Sequence, residues 1–204
     1  MSYHTCDHCG RAESPPLSLK LCGACMTAQY CSKVCQRLHW PSHKIICRHT
    51  ITKIKQSSTH DAEGRDLAAI LRKFASEYSA LLGWAAFQAL KLGIAPENIT
   101  QQALLVVLQN QVREQLHSGI LVVATAIVPR TFVDDSVVNE EIRRRERRCW
   151  QEGGIGTLVV VIQCEGVSLV MPFDVDSTTN STWDEHDDWD AVLIDYVSSG
   201  RTCF

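Results

Sequence analysis

The sequence predicts an α+β protein in two parts: a small metal-stabilised module, then an α+β domain with a short antiparallel sheet and helices. Three observations carry this. Eight cysteines and histidines fall within the first 47 residues at metal-ligand spacings. Composition changes sharply near residue 50, from cysteine-dense to aliphatic. Beyond the change, helical periodicity alternates with short runs rich in valine and isoleucine, as expected where helices cover a sheet.

The eight candidate ligands are Cys6, Cys9, Cys22, Cys25, Cys31, Cys35, His43 and Cys47. Eight soft donors make two tetrahedral sites, and zinc is the usual occupant of closed sulfur and imidazole sites. Cys6/Cys9 and Cys22/Cys25 are C-x2-C knuckles, tight turns that bring two sulfurs to one ion. Cys31/Cys35 and His43/Cys47 are i, i+4 pairs, neighbours on a helix. Pro41 predicts a break between two short helices rather than one long helix. A knuckle plus a helical pair completes each tetrahedron, although spacing alone leaves open a pairing of Cys6/Cys9 with Cys22/Cys25. His4, His8, His39, His49 and His60 are the competing imidazoles. His8 and His39 are expected at the solvent or behind the ligands rather than on the metal. Ten cysteines without a secretory signal favour metal over disulfides.

The tract Thr50 to Gly64 is polar and reads as a linker between a module of residues 1–49 and a domain of 65–204. Leu67, Ile70, Leu71, Phe74, Tyr78, Leu81 and Leu82 form one apolar helical stripe. A second helix or a continuation runs from Trp84 to Leu92, closed by Gly93 and Pro96. Ala103–Leu108 and Ile120–Val128 read as buried strands, the second ended by Pro129. Asp134–Trp150 is a charged helix broken by Gly153-Gly154. Leu158–Cys164 and Val167–Phe173 are strands joined by Glu165-Gly166, a hairpin signal. A last helix spans Glu185–Ser199, its acidic start suited to the positive end of the helix dipole. Of the cysteines outside the ligand pattern, Cys149, Cys164 and Cys203, the second is expected to be a core thiol.

The formal charge of −3 gives no global case for nucleic-acid binding. Seven thiolates and two zinc ions would lower it by a further three. The cluster Arg143-Arg144-Arg145 with Arg147-Arg148 is diluted by Glu140, Glu141 and Glu146, and reads first as a solvated helix face. The acid-rich stretch Asp184 to Asp190, with His186, reads as a helix start rather than a metal or acid–base site. No leader and no spanning segment are visible, so the protein is expected inside the cell, in cytoplasm or nucleus.

The run Tyr30-Cys31-Ser32, then Cys35-Gln36, Trp40, His43-Lys44 and Cys47, resembles the MYND-type zinc finger. The resemblance covers about residues 6–47. It implies an interleaved, cross-braced pair of zinc sites: Cys6, Cys9, Cys31 and Cys35 on one ion, Cys22, Cys25, His43 and Cys47 on the other. It also implies a non-enzymatic adaptor that grips a proline-rich peptide of a partner protein in the region of Gln36 and Trp40. MYND fingers also occur in SET-type lysine methyltransferases, but an Asn-His-Ser run, a Gly-Glu-Glu-Leu-like segment and a post-SET cysteine cluster are not found after residue 50. No G-x-S-x-G is present either. The alternatives are a degenerate or SET-unrelated methyltransferase-type enzyme and a weak nucleic-acid-binding regulator. The segment Gly153 to Val167, with the Trp189-bearing helix, resembles the region after the finger in short fungal MYND proteins of unassigned activity. That likeness implies no function.

Overall fold

The protein is described by a computed structural model covering residues 6–11, 16–25, 27–56, 66–110, 119–177 and 185–201. His4, Pro15, His60, Asp184 and Cys203 lie outside the described residues. The chain divides into two compact units, residues 1–58 and 59–204.

In the first unit each knuckle is a turn held by backbone bonds. The Cys6 N–H donates to the Arg11 carbonyl and the Gly10 N–H to the Cys6 carbonyl, both at 2.9 Å. Gly10 has a φ of 70°, the left-handed conformation that glycine adopts without strain. The second knuckle is closed by Cys22 N–H on the Ala28 carbonyl at 2.7 Å. Strands β1 (Lys20–Leu21) and β2 (Gln29–Tyr30) pair antiparallel. Asp7 ties the first knuckle to this ribbon: its N–H donates to the Gln29 carbonyl, and its carboxylate accepts from the Gln29 N–H at 2.6 Å.

Helix α1 is Lys33–Gln56. The Ser32 hydroxyl accepts from the Cys35 N–H at 3.1 Å, an N-cap bond. Two expectations are corrected here. Pro41 lies inside one continuous helix, and the helix runs on to Gln56, into the tract read as a linker. An interior proline costs about 3 kcal/mol. Zinc sites contribute on the order of 10 kcal/mol in zinc-finger peptides. Ligand pairs on both sides of Pro41 therefore suffice to hold the backbone helical across it. The Ser42 hydroxyl, donating to the His39 carbonyl at 2.9 Å, adds a local bond at the interruption.

The second unit is α+β. Helices α2 (Leu67–Glu77) and α3 (Ser79–Ala89) are separated at Tyr78, and Asp66 caps the first by accepting from the Ala69 N–H. The short α4 (Asn98–Gln101) leads into β3 (Gln102–Asn110), which pairs antiparallel with β4 (Ile120–Pro129). A 3-10 turn, Arg130–Phe132, precedes α5 (Ser136–Gln151), whose N-terminus is capped by Asp135. β5 (Gly156–Cys164) and β6 (Val167–Val175) form the second hairpin. Glu165 and Gly166 both have positive φ, 47° and 85°, as a tight hairpin turn of the primed type requires. The two antiparallel hairpins meet in a parallel pair, giving the order β4-β3-β5-β6.

Helices cover both faces of this sheet. α2 and α3 pack on β5 from one side, where the Gly83 position leaves only contact distance to the Phe173 ring. α5 covers the other side, its Ile142 packing with Ala103, Val159 and Val161. β5 is consequently buried along nearly its whole length, which explains its unbroken aliphatic run. Cys164 is buried within it, as expected of a core thiol. Helix α6 is Trp189–Ser198 and packs on α3 and β4. It starts later than predicted, because Asp187 and Asp188 form a turn before its first helical residue.

Candidate metal centre

The local structure brings the eight ligands into two groups. Cys6, Cys9, Cys31 and Cys35 form one, and Cys22, Cys25, His43 and Cys47 the other, with the ligand atoms of each group within 4.8 Å of one another. The order in sequence is therefore interleaved: knuckle one with the start of α1, knuckle two with its middle. The sequential pairing left open by spacing does not occur.

The separations fit a tetrahedral ion. Zn–S bonds of about 2.3 Å place sulfurs roughly 3.8 Å apart at the corners of a tetrahedron. Cys9 and Cys31 sulfurs are 3.6 Å apart, Cys31 and Cys35 3.4 Å, and Cys22 and Cys47 3.9 Å. Cys25 Sγ lies 3.5 Å from His43 Nε2. The donor chemistry, thiolate with one imidazole, is that of structural zinc.

Electrostatics point the same way. In the metal-free chain, hydrogen bonding from Cys22 and then Thr27, whose hydroxyl sits 3.0 Å from the sulfur, holds Cys25 down at about 5 despite burial. Cys47, in the same group, is pushed up to about 12 by burial and by the charges of Cys25 and Cys22. In the other group, burial opposes ionisation of Cys6, but backbone N–H groups of Cys31, Cys9 and His8 bring it to about 7. Cys31 is pushed up to about 12 by Cys35, burial and its other sulfur neighbours. Each group thus stabilises a first thiolate and resists further ones. Only a cation at the centre reverses that repulsion.

His43 is held by aromatic packing. His39 stacks on it at 5.7 Å between centroids, and Tyr30 and Trp40 meet it edge-on at 6.0 and 6.1 Å. His39 is buried and hydrogen-bonds the Tyr30 hydroxyl through Nδ1 at 3.0 Å, so it packs behind the ligands and joins neither group. His8 is exposed and His49 half-buried, and neither is in a ligand group. Trp40 is 41% exposed beyond its contact with His43, and Gln36 is half-buried one turn earlier on the same helix face. Asp7 and Tyr30 organise the site without ligating; Tyr30 opens the run that resembles the finger family, whereas Asp7 gives no signal in the spacing. The role of Asp7 is defined by its long-range contact with Gln29.

Elsewhere, the arginines of α5 have acidic partners. Arg143 and Arg147 reach Glu140, and Arg144 and Arg145 reach Glu141. Arg148 pairs with Asp174, and Glu146 with Arg130 at 2.7 Å. His186 lies 3.5 Å from Asp188, is partly exposed, and is not part of a metal-capable group among the described residues.

With four protein ligands each, both sites are closed, and the first unit is a cross-braced two-zinc module of structural type. Residues 6–47 match the family model of the MYND finger, and this module is a MYND finger. The chain is also similar to SET domain-containing protein 14 of Caenorhabditis elegans, 31% identical over 72 residues. That stretch is 35% of this chain and spans 15% of the relative's own length. No solved structure matches. No helix among the described residues is long and apolar enough to cross a membrane.

Proposed function

We propose that the chain is an adaptor whose finger grips a proline-rich peptide of a partner protein through Trp40 and Gln36. The observation that carries this reading is the exposure of Trp40 on a module in which, among the described residues, the other large aromatic, Tyr30, is buried. The contact with His43 fixes one edge of the indole and leaves the rest at the surface. A rigid exposed aromatic suits an extended proline-rich chain, which loses little entropy on docking. Gln36, one turn away, supplies a polar group for the peptide backbone. Zinc here holds the scaffold, and closed sites leave no position for a reacting water. The thiolate ligands require reducing surroundings, as inside a cell.

The test is fluorescence anisotropy with a synthetic polyproline-type probe peptide on the zinc-loaded full chain. Binding should weaken at least about tenfold in Trp40→Ala, with zinc content unchanged. Equal binding by Trp40→Ala would leave the indole a packing residue only.

The similarity to a SET domain-containing protein motivates a second reading, a methyltransferase-type enzyme. Calorimetry with S-adenosylmethionine separates the two, since clear binding by residues 59–204 would give that unit a catalytic cofactor. The nucleic-acid reading is weakened by the pairing of the α5 arginines with carboxylates. An Arg143/Arg144/Arg145 triple alanine that abolished salt-dependent duplex binding would restore it.

A further inference from the structure

Helix α1 has a second exposed face that the proline-peptide reading does not use. At about 3.6 residues per turn, Gln36, Trp40, His43 and Cys47 share one side. Val34, Leu38, Pro41 and Ile45 follow at i, i+4, i+7 and i+11 on the opposite side. All four are exposed, Val34 by 53%, Leu38 by 61% and Ile45 by 69%. A continuous aliphatic stripe on a surface helix is ordinarily buried against a partner.

The charges beside it are arranged on one flank. Lys33, Arg37, Lys44 and Arg48 lie in a row between the ligand face and the stripe. None of the four pairs with a carboxylate among the described residues, in contrast to the arginines of α5. Helix α1 contains no Asp or Glu over its 24 residues. Residues 1–58 carry eight Lys and Arg against two Asp and Glu, and remain net positive by about three with two zinc ions and seven thiolates in place.

We infer that this face of α1 docks an acidic amphipathic helical segment of another protein, its apolar residues on Val34, Leu38, Pro41 and Ile45 and its carboxylates on Lys33, Arg37, Lys44 and Arg48. Charge complementarity selects this occupant. A second copy would bring two helices together that have no acidic residue between them. A bilayer would draw on basic residues along both flanks and on interfacial aromatics, whereas the row here is one-sided and Trp40 points from the opposite face. Phosphate backbones would leave the aliphatic stripe without a partner. Helix-in-groove and helix-on-helix recognition use i, i+4, i+7 anchors of this kind.

The test uses the zinc-loaded full chain and a labelled helical probe of about 18 residues, with leucines at i, i+4, i+7 and i+11 and glutamates along one flank. Anisotropy should report saturable binding that weakens at raised salt. Leu38→Asp/Ile45→Asp and Lys44→Glu/Arg48→Glu should each weaken it at least about tenfold. Trp40→Ala should change it less than about twofold, which separates this face from the proline-peptide face. Zinc content verifies that each variant is folded. If the aspartate pair loses zinc, Leu38→Gln/Ile45→Gln takes its place with the same expected loss. The inference fails if a scrambled peptide of equal composition binds as tightly or if neither apolar pair affects binding. It also fails if anionic vesicles or duplex DNA bind through the stripe in preference to the peptide. Light scattering that shows a dimer abolished by the apolar pair would assign the face to a second copy instead.

Discussion

The two units solve the same problem with different chemistry. The buried cluster of the finger is Cys6, Cys22, Cys25, Ala28, Tyr30 and Cys47, four of six being ligands. The buried strands and helices of residues 59–204 are filled by Leu, Val, Ile and Phe. A chain segment of this size cannot bury enough apolar area to fold alone, so metal replaces the core. In the finger, the interior is spent on zinc, and large apolar side chains such as Trp40, Leu38 and Ile45 are left outside. In the second unit most large apolar residues are inside, although Ile94, Val123, Ile127, Phe132, Trp150 and Ile194 stay exposed, and its charged helix is neutralised by its own carboxylates.

Removing the metal should separate the two units most strongly. Chelation, or Cys22→Ser, should unfold the finger completely while the helical circular dichroism and thermal transition of residues 59–204 persist. Fewer than about two zinc ions per metal-replete chain would refute the eight-ligand assignment. Collapse of the whole protein would show that the second unit depends on the first.

How far each unit is legible in sequence follows from the same difference. The ligands are read directly because coordination demands particular residues at particular spacings. In the second unit, the hairpin at Glu165-Gly166 and the α5 cap at Asp135 are local signals and are visible. The parallel pairing of β3 with β5 is not, since it depends on contacts across the intervening hairpin and helix. Tyr78 gives no composition signal for the break between α2 and α3, because the apolar stripe continues through it. Pro41 misleads for a physical reason: helix propensity is overridden by ligands on both sides. Reading a break there also hides the stripe Val34, Leu38, Pro41 and Ile45, which is visible only when the helix is taken as continuous.

The apolar unit contains a buried ion pair that its stability should depend on. Arg130 and Glu146 are paired at 2.7 Å with most of both side chains buried. Burial lowers the Arg130 pKa and raises that of Glu146, so each charge depends on the other. Glu146→Gln leaves the guanidinium without its counter-charge and should cost about 3–5 kcal/mol. Thermal unfolding of the second unit would register this, while zinc content stays unchanged.

Acidification acts on the finger in the opposite sense. In the metal-free chain, Cys31 and Cys47 are pushed up to about 12, and Cys9 and Cys22 are also raised. These thiols carry protons at neutral pH, so zinc must displace at least two per site. Zinc-dependent stability is therefore present at high pH and lost as pH falls. Apparent affinity should drop about a hundredfold per pH unit near neutrality, as read by chelator competition. The second unit should show no comparable transition over the same range.

The smallest effect tests whether local helix chemistry still matters where metal dominates. Ser32 caps α1 between two ligands of one ion, Cys31 and Cys35. In an ordinary helix, loss of such a cap costs about 1 kcal/mol. Here the ion fixes the same turn from both sides, so the Cys35 N–H stays in place when Ser32→Ala removes its acceptor. An unpaired but solvent-accessible N–H is satisfied by water, and the cost should be at the low end, a decrease in zinc affinity of no more than about fivefold. A larger loss would mean that the cap positions Cys35 before the metal arrives. The finger would then rest on its backbone as well as on zinc, and the contrast with the second unit would narrow.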